Sequence, residues 1–415
     1  MKSLSEFLLT NRQHYLEALK VGRAQNWTVV VGNEAGDLDS AASSIAYSYL
    51  SSTLLQRPTI ALLRTARSDF HLRAENDYAF SLTRLNSDHS DLLCIDDIPT
   101  ELFPQILQSS FALVDHNHLD HIFTPAPNVV AIIDHHSDEG YHHDAQCRII
   151  VVPVGSCTSL VTQHFLHHWQ ESTTEISPDV ATLLLTGILI DTKGLKKNGK
   201  AVEIDHKAFQ FLFPRSSWKA FSSVQEEDEK EKIEVVIQKL ESLKNSVSHL
   251  SSKDLLRRDY KEYNIGETGS PTVVGIASVP LSIKSWLGMH PSPDFWDAMD
   301  EWMQERHLDV LGVLFSFHSK KNGKHKRQTL WVVKEGLDDL RKGVFKGLKE
   351  HKELELEVKI LKHKYLTDME TTKTGKIITK AGATARVWNQ LRTDSTRKVV
   401  APLVRSIIES LQSRK

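Results

Sequence analysis

Short apolar runs that do not alternate with polar residues, separated by helical patterns, most constrain how this chain folds. Trp27 to Val31, Thr59 to Leu63, Leu92 to Ile95, Ala112 to Val114, Val129 to Ile133 and Arg148 to Val152 read as strands. Between them, Ser40 to Gln56, Phe70 to Leu85 and Ile98 to Ser110 carry helical spacing. A strand that is apolar on both faces must be covered on both. The alternation therefore predicts an α/β fold on a mostly parallel sheet with helices on each side. Two more helices are expected, from Thr158 to Gln170 and from Pro178 to Asp191.

A chain of 415 residues exceeds one ordinary core, so two domains are expected. Phe213-Pro214-Arg215-Ser216-Ser217 leads into a charge run, Glu226 to Lys232, that lacks apolar residues. This predicts a first domain over 1–214, a linker over 215–232 and a smaller α/β domain with a mixed sheet over 233–415. In the latter, Thr272 to Ser278, Leu308 to Phe317 and Thr329 to Val333 read as strands, and Asp294 to Arg306 and Gly336 to His351 as helices. A net charge of -2 gives no general argument for nucleic acid or membrane binding. Cys94, Cys147 and Cys157 are too few and scattered for a disulfide framework, which favours a reducing, cytoplasmic location. No apolar stretch approaches the length of a membrane span, and Met1 to Lys20 reads as an amphipathic helix packed on the first domain.

Several apolar segments of the first domain deliver an aspartate. Asp37 and Asp39 follow the first strand, Asp115 follows Val114, Asp134-His135-His136 follows Ile133, and Asp191 follows Ile190. Singly, these are ordinary turn, cap or surface residues. Converging on one rim, the carboxylates would repel one another unless cations were present. Hard oxygen ligands select Mg²⁺ or Mn²⁺, and the imidazoles add Co²⁺ as a candidate. Five aspartates and two histidines exceed the needs of one ion. Two ions sharing a bridging carboxylate, with a metal-activated water, are the arrangement of hydrolytic phosphoryl transfer.

Gly155-Ser156-Cys157-Thr158-Ser159 opens a helix whose start either satisfies its own N–H groups or holds an anion. Lys261, Arg397 and Lys398 are cations of the second domain, surface residues by composition alone. Lys320-Lys321-Asn322-Gly323-Lys324-His325-Lys326-Arg327 reads as a hairpin loop turning at Asn322-Gly323, to which a long polyanion would be drawn.

The ordered set Asp37-Leu38-Asp39-Ser40, Asp115-His116-Asn117, Asp134-His135-His136, Ile190-Asp191-Thr192, Asp259-Tyr260-Lys261 and Ser395-Thr396-Arg397-Lys398 resembles the DHH phosphoesterase superfamily. The branch is the one with a DHHA2-type second domain, which holds family II inorganic pyrophosphatases, fungal-type exopolyphosphatases and prune proteins. The resemblance implies an active site in the cleft between two domains, with two divalent ions. Asp37 and Asp115 would hold one ion and Asp39, Asp115, His135 and Asp191 the other, Asp115 bridging. His136 would act near the leaving phosphate, Asp134 would orient a histidine, and Asp39, His136, Arg397 and Lys398 form the implied catalytic set. Asn33, His136, Lys261, Arg397 and Lys398 would contact substrate.

The pyrophosphatases carry a histidine where this chain has Asn33, and prune proteins carry arginine in the third position of the motif, where His136 stands here. The expectation is a monomeric exopolyphosphatase that hydrolyses terminal orthophosphate from linear polyphosphate. A pyrophosphatase, a prune-like cyclic-nucleotide or short-chain phosphoesterase and a non-catalytic prune-like adaptor are the alternatives.

Overall fold

The computed structural model describes residues 2–125, 127–196, 199–220, 226–266, 269, 271–362, 370–371 and 375–413. The chain divides into two compact units, 1–246 and 247–415. The division falls beyond the expected linker. Glu226, where the charge run begins, opens a 20-residue helix of the first unit, and its Ile237 and Leu240 are buried. The run is thus the charged first turns of a helix that becomes amphipathic later. Residues 221–225 of the expected linker lie outside those described.

In the first unit the strands are β1 Thr28–Val31, β2 Thr59–Leu63, β3 Leu93–Cys94, β4 Ser110–Val114, β5 Val129–Asp134 and β6 Cys147–Ile150. The helices are α1 Leu4–Lys20, α2 Leu38–Leu54, α3 Ala74–Leu82, α4 Phe103–Ile106, α5 Cys157–Glu171, α6 Pro178–Thr192, α7 Glu203–Leu212, α8 Ser217–Ala220 and α9 Glu226–Asn245. The sheet runs β3-β2-β1-β4-β5-β6, and every pairing is parallel. Alternate residues feed two cores. Val30, Ala61, Ala112 and Ile133 join the cluster with α2, α5 and α6, whereas Val29, Ile60, Phe111 and Ile132 face Tyr15 and Leu19 of α1. That two-sided burial is why these strands read as continuous apolar runs.

Two expected helices are shorter than their sequence patterns. Over Ile98 to Ser110 only a 3₁₀ turn, Thr100–Leu102, and the single-turn α4 form, in a segment interrupted by Pro99 and Pro104. Phe70 to Leu85 breaks at Arg73, which leaves helical geometry (φ -134°, ψ 73°) between a 3₁₀ turn and α3. Arg73 spends its guanidinium on the carbonyl of Ala35 instead.

Strand order reverses between β1 and β4, since the chain first builds outward through β2 and β3 and then returns to the other side of β1. Beyond the carboxyl ends of such a pair lies the crevice where open α/β sheets bind ligands. The loop 32–37 leaves β1 there, and Asp115 leaves β4 there.

The second unit contains α10 Ser252–Arg257, β7 Tyr260–Ile265, β8 Thr272–Val279, α11 Ile283–Met289, α12 Ser292–Glu305, β9 Val310–His318 and β10 His325–Val333. It continues with α13 Asp338–Glu350, β11 Leu356–Val358, β12 Glu370–Thr371, β13 Lys376–Ile378, β14 Thr384–Gln390 and α14 Arg397–Gln412. Its sheet is mixed, with order β12-β13-β14-β10-β9-β8-β7 and β11 beside β14. One face packs on α13 and α14 through Trp331, Trp388, Val344, Val400 and Val404. On the other, Phe315 meets Trp286 of α11. Gly323 turns the β9–β10 hairpin with φ +66°, as Asn322-Gly323 predicts. Edge strand β7 was missed because Lys261, Glu262 and Asn264 interrupt the apolar residues from Tyr260 to Ile265. Among the described residues, no helix is long and apolar enough to cross a membrane.

Candidate metal centre

The loop after β1 is shaped by its own polar groups. Asn33 Oδ1 accepts from the Ala35 N–H at 2.9 Å, and Gly36 adopts φ +57°. Arg73 Nε and Asn76 Nδ2 brace the carbonyls of Ala35 and Gly36, both at 2.9 Å. Asp37 caps α2 by accepting from the Ser40 N–H at 3.1 Å. A side chain at Gly32 would lie 2.8 Å from Ser40 Cβ, so glycine lets the loop pass close over the helix start.

Asp115 sits just beyond β4 with φ +64°, a backbone that costs a non-glycine residue about 1–3 kcal/mol and clusters at functional sites. It is 1% exposed. One carboxylate oxygen, Oδ2, accepts from Asn33 Nδ2 and Ser40 Oγ, each at 2.5 Å. The other, Oδ1, is buried without a hydrogen bond and faces His135 Nε2 at 3.2 Å and His136 Nδ1 at 3.6 Å. Burial acts to raise the Asp115 pKa, but the two histidines and the Ser40 hydroxyl outweigh it, so the carboxyl stays ionised.

His135 Nδ1 lies 3.1 Å from the carbonyl of Val154, so that nitrogen carries the hydrogen. Nε2 is thereby left toward Asp115 Oδ1 and, at 3.7 Å, Asp39 Oδ2. A lone pair facing two carboxylate oxygens is stable only with a proton or a cation between them. His136 Nδ1 is held by Asp134 Oδ1 at 2.8 Å. That Asp134 oxygen also accepts from the backbone N–H groups of His135 and His136, while Oδ2 takes Asn117 Nδ2 at 2.6 Å. Burial pushes the Asp134 pKa up, and the bonds from His136 and Asn117 more than reverse it. Asp134 is therefore spent on orienting His136 and its turn.

Asp115, His135 and His136 present one ligand atom each within 4.8 Å of one another. An orphaned carboxylate oxygen and an imidazole nitrogen freed by its ring partner suit a divalent transition metal, and the donor set fits.

The other expected ligands are placed differently. Asp39 directs Oδ1 to Ser156 Oγ (2.6 Å) and the Thr158 N–H (3.0 Å), and Oδ2 to the Cys157 N–H (2.8 Å). The helix start at Gly155 to Ser159 does hold an anion, and the anion is this carboxylate. Burial, then the charges of Asp115 and Asp191, push the Asp39 pKa well up. Asp191, at the end of α6, pairs with Lys244 Nζ of α9 at 3.1 Å. Asp37 uses one oxygen, Oδ1, in its cap, and Asn33 is held to Asp115 and Ala35.

Sequence reading gave no role to Ser40, Asn117, Lys244 or Asp205. Asp205 is buried and accepts from the Gly155 and Val202 N–H groups and Ser159 Oγ, fixing the turn into α5. Ser40 and Asn117 lie inside the quoted motifs, where their hydroxyl and amide were the available signal. Nothing in the helical spacing marked Lys244.

In the second unit, Arg397 opens α14 and reaches back to Asp259, with Nη2 to Oδ1 at 2.7 Å and Nη1 to the carbonyl at 3.0 Å. Lys261 pairs in register with Ile276, whose carbonyl Arg397 Nη1 approaches at 3.5 Å. The backbone of Lys398 bonds the capping hydroxyl of Thr396 at 3.3 Å. The fold thus gathers Arg397, Lys398 and Lys261 around the start of one helix.

Comparison with known proteins agrees with this architecture. The description "DHH family, N-terminal domain" matches residues 27–188 and "DHHA2 domain" matches 238–407. A Schizosaccharomyces pombe protein named "Putative exopolyphosphatase" is 30% identical over 431 aligned residues, covering 99% of this chain and 100% of that one. Human "Exopolyphosphatase PRUNE1" is 32% identical over 302 residues, which cover 71% of this chain but only 60% of that protein. The crystal structure of a Methanococcus jannaschii "putative family II inorganic pyrophosphatase" matches with a TM-score of 0.51 at 20% identity, over 77% of this chain and 90% of that one. That last likeness is one of fold. Taken with the full-length relative and the Asp115–His135–His136 cluster, these matches establish that the chain belongs to the DHH phosphoesterase superfamily, in the branch with a DHHA2 second domain.

Proposed function

We propose that this hydrolase is a divalent-metal exopolyphosphatase that releases terminal orthophosphate from linear inorganic polyphosphate. The observation that carries the reading is similarity across the whole length of the S. pombe protein, joined to an intact His136. Asp37, Asp39, Asp115, His135 and Asp191 would hold two ions, Mg²⁺ or Mn²⁺. Such ions supply an activated water near neutral pH and neutralise charge on the phosphates.

The protein's own groups do the rest. Asn33 and Ser40 fix Asp115 Oδ2, so that Oδ1 keeps one direction. Asp134 anchors His136 through Nδ1, which leaves Nε2 to carry a proton toward a departing phosphate oxygen. Arg397, Lys398 and Lys261 would supply cationic contacts for phosphate. Asn33 in place of the pyrophosphatase histidine favours the longer substrate over pyrophosphate.

The test is turnover. Purified protein is incubated with Mg²⁺, Mn²⁺ or Co²⁺ and long polyphosphate, tripolyphosphate, pyrophosphate or cyclic AMP, and released orthophosphate or AMP is measured. Orthophosphate should appear fastest from polyphosphates. No release from any polyphosphate with any of these ions rejects the reading, and faster release from pyrophosphate favours the pyrophosphatase.

A further inference from the structure

The DHHA2 unit carries a second cationic surface, apart from the Arg397–Lys261 group, on the sheet face that α11 covers. Side chains alternate along a strand, so Lys326, Gln328 and Leu330 of β10 share one face. Gln328 stands opposite Asn389 of β14 and donates to it at 3.0 Å, and Asn389 stands opposite Glu357 of β11. Two residues past Glu357, Lys359 continues the edge, its N–H donating to the Val387 carbonyl at 2.9 Å. The start of α11 docks on the same spot, because the Ile283 N–H donates to Gln328 Oε1 at 3.2 Å. Lys284 follows directly. Three elements thus bring Lys284, Lys326 and Lys359 together.

These lysines are uncompensated. None of them enters an ion pair among the described residues, and Glu357 lies on the same face opposite Asn389. Lys359 is half-buried, and burial together with the charges of Lys326 and Lys284 holds its pKa down. Like charges held this way repel one another until an anion joins them. The patch continues into the hairpin tip, where Lys320, Lys321 and Lys324 are exposed.

We propose that Lys284, Lys326 and Lys359, extended by the hairpin lysines, form an exosite that holds the body of a long inorganic polyphosphate chain. The inference rests on the reading of polyphosphate as substrate. Polyphosphate suits the surface better than a nucleic acid does. Single-stranded nucleic acids are gripped through base stacking on aromatic rings. The exposed large hydrophobic residues described in this unit are Val358, Ile360 and Leu391, none of them aromatic. A bare chain of phosphates asks only for spaced cations.

The experiment compares the full-length protein with the Lys284→Gln/Lys326→Gln double variant and with the triple variant that adds Lys359→Gln. The double variant changes exposed side chains only and guards against misfolding by the half-buried Lys359. At low salt, KM for long polyphosphate should rise about tenfold in the triple variant and by a smaller factor in the double, with a flatter dependence on salt. Values of kcat and KM on tripolyphosphate, which has no long chain body to be held, should stay unchanged. An unchanged KM for long chains, or an equal rise for tripolyphosphate, overturns the exosite. Direct equilibrium binding of long polyphosphate without divalent metal separates this idea from the proposed activity. Binding lost in the variants upholds the exosite even where turnover is absent, and binding retained rejects it. A single-stranded RNA oligomer that binds the same lysines more tightly than polyphosphate also rejects it.

Discussion

Asn33 Nδ2 donates to Asp115 Oδ2 at 2.5 Å, across the point where the sheet reverses its strand order. The residue at which the resemblance expects a histidine in pyrophosphatases is thus the one that holds Asp115. Asn33→His would put a softer imidazole beside Asp115. The expected outcome is a shift of metal preference toward Mn²⁺ over Mg²⁺ and faster pyrophosphate hydrolysis, read from initial rates with each ion. An unchanged preference would mean that Asn33 tunes neither.

His136 owes its orientation to Asp134. Asp134→Asn replaces a charged acceptor that takes His136 Nδ1 and two backbone N–H groups. Loss of such supporting partners costs about 10–100-fold in metal affinity or activity. The fall should lie mainly in kcat, with KM for polyphosphate little changed. A rise in KM alone would place His136 in substrate binding rather than proton transfer.

Lys244 occupies Asp191 by a charged hydrogen bond. Lys244→Met removes that cation, so divalent ions should bind more tightly at the Asp191 side, by about tenfold at low salt. Calorimetric titration of the metal-free protein reads this directly. Weaker binding instead would show that Lys244 holds Asp191 in place for the ion.

The turn into α5 should be costly to disturb. Asp205→Asn exchanges one accepting oxygen for an amide that cannot accept, at a buried site serving two N–H groups and a hydroxyl. The expected loss is about 2–3 kcal/mol in urea unfolding. Gly155→Ala should also destabilise, since its Cβ would meet Asp205 Oδ2 at 2.7 Å and Thr192 Cγ2 at 2.6 Å. Wild-type stability in both variants would show that the turn relaxes.

Acid should weaken the loop between β4 and β5. Asp120 accepts from Arg64 Nη2 at 3.0 Å and the Ile122 N–H at 2.9 Å. Burial raises its pKa, but Arg64 and that N–H outweigh burial and hold it below the ordinary value. A folded pKa below the unfolded one gives stability that is present above the unfolded value and lost as pH falls through the folded one. The stability gap between wild type and Asp120→Asn should therefore be flat above about pH 5 and shrink below about pH 4. A gap that persists at lower pH would show that packing, not charge, sets the contribution.

How far the fold was legible depends on how local its causes are. The parallel strands were readable because two-sided burial leaves no polar alternation. Asn322-Gly323 announced its turn because a positive φ suits those residues. Ile98 to Ser110 misled because its apolar spacing concealed what Pro99 and Pro104 do to a helix. The cluster of Asp115, His135 and His136 was legible at its strand ends, and the use of the other aspartates was less so. Asp39 looks like Asp37 in sequence, yet one carries the start of a helix 118 positions away while the other caps its own.

The sequence by itself determined that an α/β sheet would place Asp115, His135 and His136 at one rim, because strand pattern and strand end are properties of neighbouring residues. Tertiary structure alone decided how each carboxylate is used. Asp115 Oδ1 stays open, whereas Asp39 goes to α5, Asp191 to Lys244 and Asp134 to His136. A hydrogen-bond partner is chosen by distance in space, and these partners are brought near mostly by strand order and helix packing rather than by position along the chain.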